Sequence, residues 1–118
     1  MSTPLVPNSI IHATALSLDD YPLEPDAIES GTPKASLVEL LETPAIAIGV
    51  WELTEGTATD TEEDEVFVVI SGRARVAFED GTEPLDLSPG VIGRLAAGSR
   101  TRWTVTETLR KVYITLQA

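Results

Sequence analysis

Residues 65–72 read EVFVVISG: a glutamate leads five apolar residues, mostly β-branched or aromatic, into Ser71 and Gly72. That is the make-up of a buried strand ending in a turn. A carboxylate beside valine and phenylalanine costs several kcal/mol unless it is paired, hydrogen-bonded or protonated. Glu65 therefore marks either a polar site inside an apolar wall or a position at its rim.

Outward from this run, strand signals recur about every ten residues with turns between them, the signature of an all-β sandwich or barrel. Downstream, Arg73 to Phe78 sets Ala74, Val76 and Phe78 on one face and Arg73, Arg75 and Ala77 on the other, as in a half-exposed antiparallel strand. Asp80-Gly81 reads as a hairpin turn and Pro89-Gly90 as another, with a small-residue bend at Ala96-Ala97-Gly98. The closing stretch TRWTVTETLRKVYITLQA alternates twice, with a turn expected at Thr106 to Leu109. Upstream, Ala45 to Leu53 (AIAIGVWEL) is a strand with Gly49, Trp51 and Leu53 on one face. Lys34 to Glu42 (KASLVELLE) suits a helix by the spacing of Leu37, Leu40 and Leu41, and alternates tolerably as a strand; Pro44 stops either one. Residues 1–33 hold five of the eight prolines and read as an extended arm, which leaves 34–118 for the barrel.

A chain of 118 residues is expected to form one domain with one core. Without cysteine it has no disulfide, zinc-thiolate site or thiol nucleophile. With no apolar run near the ~20 residues of a membrane span, the expectation is a soluble, cytoplasmic protein. The net charge of -11 argues against nucleic acid and anionic membranes as partners. Residues 1–71 carry fourteen acidic side chains and one basic, whereas 72–118 carry five acidic and seven basic, so an anionic ligand is expected to be met by the second half. The acids Glu62, Glu63, Asp64 and Glu65 resist burial together, and an extended backbone would point Glu63 and Glu65 one way and Glu62 and Asp64 the other.

Several landmarks fall in a familiar order: Glu29 to Pro33 (ESGTP), Gly49-Val50-Trp51-Glu52, Gly56, Glu65 to Gly72, Gly90, Gly98, Trp103 and the closing VTETLRKVY. In these the chain from Pro25 to Ile114 resembles the single-domain cupins grouped with the (S)-ureidoglycine aminohydrolase cupin domain. The resemblance implies a double-stranded β-helix, a jelly-roll barrel whose open mouth holds any ligand. Metal-binding cupins place two histidines before the motif glutamate and a third after the second motif's glycine. Here those positions fall at Thr59 and Thr61, or at Ala58 and Asp60, and at Thr101. No imidazole-ligated metal is therefore expected, and the metal arrangement left open is an oxygen-only divalent site of Glu65 with Asp60, Glu62 or Asp64.

Strand parity puts Glu65, Phe67 and Val69 on one face, Thr101, Trp103 and Val105 on another, and Lys111, Tyr113 and Thr115 on a third. Turned inward as the resemblance implies, these residues make a pocket with Trp51, Phe67 and Trp103 as walls and Glu65, Lys111, Tyr113 and Thr101 as polar handles; Arg94 stands near the second-motif bend as an anion contact. The alternative is a filled barrel in which Glu65 and Lys111 merely neutralise one another. Three functions follow. The first is binding of a small carboxylate-, amide- or sugar-like metabolite. The second is a ureidoglycine aminohydrolase-like hydrolysis or isomerisation with Glu65 as base and Lys111 or Tyr113 as acid. The third is a non-catalytic structural or interaction barrel. A homodimer strapped by the arm is expected in each case.

Overall fold

The computed structural model describes residues 4–117, and in that span the chain is built of strands with a single 3-10 turn at Pro25–Ala27. In chain order the strands are β1 (Asp19–Asp20), β2 (Ile28–Gly31), β3 (Ala35–Glu42), β4 (Ile46–Leu53), β5 (Gly56–Thr61), β6 (Glu65–Phe78), β7 (Leu85–Leu87), β8 (Ile92–Leu95) and β9 (Arg100–Leu116). Segment 34–42, open between helix and strand on local propensity, is a strand. β3 pairs with β4 from Ala35↔Leu53 to Glu42↔Ala47, and that tertiary pairing outweighs the leucine spacing.

All pairings are antiparallel, and β9 is the spine. Its C-terminal half pairs with β4 (Leu53↔Leu109 to Ile46↔Leu116), and its N-terminal half pairs with β5 (Gly56↔Val105 to Thr61↔Arg100). Along its other edge runs the whole of β6, from Glu65↔Thr115 to Phe78↔Thr101. β8 lies beside the first half of β6 and β7 beside the second. One curled sheet thus becomes two facing layers, β1-β3-β4-β9-β6-β8 and β2-β5-β9-β6-β7, the jelly-roll arrangement.

Two turns expected from the sequence are absent. Ser71-Gly72 and Thr106 to Leu109 both lie inside continuous strands, β6 and β9. The chain passes from one layer to the other through register shifts between Val69 and Ala74 instead of reversing. Gly72 makes this bend possible: its φ is +88°, and any Cβ there would strike the backbone carbonyl of Thr108.

Between the layers lie Phe67, Val69, Leu53, Leu95 and Leu109 from one side and Ala74, Val76, Leu87, Trp103 and Val105 from the other. Full burial of a side chain such as Phe67 contributes roughly 1.5–3 kcal/mol. Segment 4–18 crosses the outside of the first layer. The Leu5 amide donates to the Leu40 carbonyl, and Arg110 Nη1 donates to the carbonyls of Ala13 (2.8 Å) and Leu16 (2.9 Å) while Arg110 Nε pairs with Glu52 at 3.0 Å.

Candidate functional site

At the open end of the barrel is a cavity of about 210 Å³ whose lining includes Trp51, Trp103, Glu65, Lys111 and Tyr113, with Asp60, Glu62 and Glu63 around its mouth. Larger clefts of about 520 and 440 Å³ lie outside the barrel wall. In the first, Arg100 and Arg102 are already paired with Glu79 and Glu29; the second is a mostly apolar groove formed by residues of the arm between Asp20 and Pro33 with Lys34 and Ala35. The mouth is where charged groups and aromatic rings converge.

Alternation puts Glu65 inward at the start of β6, across from Thr115 on β9 and Leu95 on β8, while Val69 sits across from Lys111. Lys111 is 4 % exposed, and its ammonium donates to Glu65 Oε2 at 2.5 Å. It also stands 4.7 Å from the ring centre of Trp51, 4.8 Å from that of Trp103 and 4.9 Å from that of Phe67. Three π faces and one carboxylate thus offset the loss of water around a buried cation. The rings brace one another, with Trp51 and Trp103 edge to face at 5.5 Å. Burial pushes the Glu65 carboxyl up from its ordinary value, and Lys111 pulls against that rise.

Tyr113 reaches the same cavity by lying over Gly49, where any Cβ would meet its hydroxyl and the Val38 carbonyl. Loss of water, with Glu39 and Glu65 nearby, pushes its phenol up to about 12, so at neutral pH it is a hydrogen-bond donor. Phe67, expected as a wall, does not line the cavity: it is completely buried and reaches the site only through Lys111, whose ammonium stands over its ring. Thr101 is buried too, and its hydroxyl is spent on Glu62.

Glu62 departs most from expectation. The extended alternation that would separate it from Glu65 does not hold, because β5 ends at Thr61 and the chain turns over 62–64. The Glu62 amide donates to the Ser99 carbonyl and the Gly98 amide to the Glu62 carbonyl, both at 2.8 Å. Its side chain goes inward, only 7 % exposed, where Oε2 accepts from Thr101 Oγ1 at 2.6 Å and Trp103 Nε1 at 2.9 Å. Asp64 turns the other way and accepts from the Ala97 amide at 3.0 Å. The acidic run is therefore what fastens the mouth to the 96–99 bend. The small-residue bend supplies the amides, but nothing local in the sequence shows that residues 62–64, more than thirty positions earlier, meet it.

Arg94 is not part of the site. On β8 it pairs with Val66, and since Gly93 and Leu95 take the inward positions Arg94 is exposed on the outer face. The arm contributes Tyr21, which sequence reasoning did not single out; its amide is tied to Ala35 O at 2.9 Å.

The register also decides which residues stand at the metal-binding positions of the cupin pattern. Ala58 pairs with Trp103 and Asp60 with Thr101, so Ala58 and Asp60 face inward while Thr59 and Thr61 face out. The inward set is then Ala58, Asp60, Glu65 and Thr101. One of these has no donor atom, Thr101 is engaged by Glu62, and Glu65 already holds an ammonium. Among the described residues no three carboxylate or imidazole groups come together closely enough to hold an ion. These side chains do not fit the metal of the wider fold.

Asp60, at the exposed rim, has its carboxyl pushed up to about 6, first by partial loss of water and then by neighbouring Glu62; the Thr61 amide and Lys111 oppose the rise.

Among curated proteins none matches this chain. Solved structures do. A Clostridium difficile EutQ protein is 23% identical over 77% of this chain and 75% of its own, with a TM-score of 0.64. A protein of unknown function from Pseudomonas syringae pv. tomato is 28% identical with a TM-score of 0.75; the match takes in 88% of this chain and 46% of that one, so this chain spans about half its length. A cupin superfamily protein from Desulfitobacterium hafniense shares 13% identity over 98% of this chain and 96% of its own, at a TM-score of 0.65, and shows the fold alone. The family model for the EutQ-like cupin domain matches residues 41–113, more than half of the sequence and the whole run from β4 to Tyr113. The chain belongs to the EutQ-like cupin domain family.

Proposed function

We propose that this cupin binds a small polar molecule in the mouth of its barrel without a histidine-ligated metal. The observation that carries the reading is the caged Lys111 ammonium. Beside the cupin-motif glutamate, where the wider fold keeps a metal ion, this chain keeps a cation of its own. The site is thus charged and structured, and a cavity remains beside it, lined by Trp51 and Trp103. Elemental analysis of the purified protein together with a thermal-shift screen of small metabolites tests this. Binding unaffected by a chelator is the expected result; stoichiometric transition metal would overturn it.

A second reading, hydrolysis or isomerisation of the ureidoglycine aminohydrolase kind, is favoured by the position of Glu65 in the cavity lining, with Lys111 bonded to it and Tyr113 lining the same cavity, as a base and its acid would need to stand. Tyr113, which holds its proton, would orient the substrate. Loss of turnover in Glu65→Gln with folding intact supports this reading, and unchanged turnover removes Glu65 from it. The assembly proposed is a homodimer: Val6, Ile10 and Tyr21 of the arm and Ile92 of β8 are exposed apolar side chains that a second copy would cover. A monomer by light scattering at micromolar concentration would refute the dimer.

A further inference from the structure

We infer that the ligand of this cavity carries a positive charge, in the form of a small primary amine; the inference rests on the binding reading above and adds the chemistry of the occupant. Four carboxylates line the cavity, Asp60, Glu62, Glu63 and Glu65, against a single basic group, Lys111. Lys111 is committed to Glu65, and Oε2 of Glu62 is committed to Thr101 and Trp103. Among the described residues Asp60 and Glu63 have no basic side chain opposite them, although arginines elsewhere on the molecule are paired with acids. An anion entering here meets three unneutralised carboxylates before it can reach Lys111, whose charge is already shared among Glu65 and three rings. The basic half of the sequence does not correct this, because Arg94, Arg100 and Arg102 stand on outer faces.

An alkylammonium has what the mouth lacks. Its charge faces Asp60 and Glu63, its N–H groups find acceptors there, and its carbon chain lies against Trp51. The acids are spread around the opening and do not converge, which suits an organic cation and not a bare metal ion. Size narrows the class further. At about 210 Å³ the cavity is below the roughly 300–1,000 Å³ of drug-sized sites, so the ligand has only a few non-hydrogen atoms. Asp60, whose carboxyl is pushed up by partial loss of water and then by Glu62, would be relieved by such a partner.

Calorimetry on the intact protein at pH 7.5 with propylamine, propionamide, propionate and magnesium chloride, probes matched in length or charge, tests the inference. Propylamine alone is expected to bind, and Asp60→Asn with Glu63→Gln is expected to weaken it about tenfold or more while leaving the melting temperature within a few degrees. Binding of propionamide or propionate in preference to the amine would keep the cavity as a ligand site and overturn the charge assignment. Magnesium binding that excludes the amine overturns it as well. Absence of binding by all four probes and by a wider metabolite screen would remove the binding reading itself.

Discussion

Lys111 is held by one carboxylate and three rings, and replacing it separates what each partner contributes. Lys111→Met keeps most of the volume but leaves Glu65 buried without its cation, and should cost about 3–5 kcal/mol in chemical denaturation. The double variant Lys111→Met/Glu65→Leu, with no charge left to compensate, should recover most of that loss. Equal instability of single and double variants would show that packing and not charge dominates. Asp60 gives a pH test. Its folded-state pKa of about 6 lies above the roughly 4 of an unfolded aspartate, so the folded form binds this proton more tightly. This group's contribution to stability therefore falls as pH rises from about 4 to 6, and the ionised Asp60 is a burden above that window. Asp60→Asn should melt higher than the parent at pH 8, and its advantage should shrink towards pH 4. At this scale the sequence was legible where period-2 alternation holds: Glu65, Lys111, Tyr113, Trp51 and Trp103 come together as strand parity requires. It failed at Glu62, where the chain leaves the extended state and alternation no longer says which way a side chain points.

Among the elements, β6 and β9 do what two hairpins were expected to do. Each reads as two short strands with a break, because Ser71-Gly72 carries turn chemistry and the TET of residues 106–108 is polar. Pairing along their whole length keeps both continuous, and the bend is absorbed by register shifts opposite Thr108. Turn residues signal a change of direction, and a reversal and a bulge use the same glycine. Gly72→Ala should therefore destabilise strongly, by more than the ~1 kcal/mol of an ordinary glycine replacement, since both its φ and the Thr108 carbonyl oppose a Cβ. One side chain ties the middle of the arm to the barrel. Arg110→Ala removes the bonds to Ala13 and Leu16 and the pair with half-buried Glu52. It should lower stability by about 1–3 kcal/mol and open residues 4–18 to limited proteolysis, as measured by mass spectrometry of the fragments. Arg110 was not singled out in the sequence, because nothing local shows that an arm distant in the chain returns to it.

For the whole molecule, the net charge of -11 sits on a small barrel whose acids outnumber its ion pairs, so self-repulsion opposes compactness. Raising salt from about 10 to 150 mM shortens the screening length to about 8 Å and should raise the melting temperature; a fall would mean that the surface pairs outweigh the repulsion. Shared use of β9 has a further consequence, for the order in which the molecule can be made. Residues 100–116 supply the partner edge for β4, for β5 and for most of β6, across separations of some twenty to seventy residues. During synthesis the strands that precede β9 can collapse but find neither layer's central strand until residues 100–116 clear the ribosome. Folding is then a late, single closure, slow for the size of the chain.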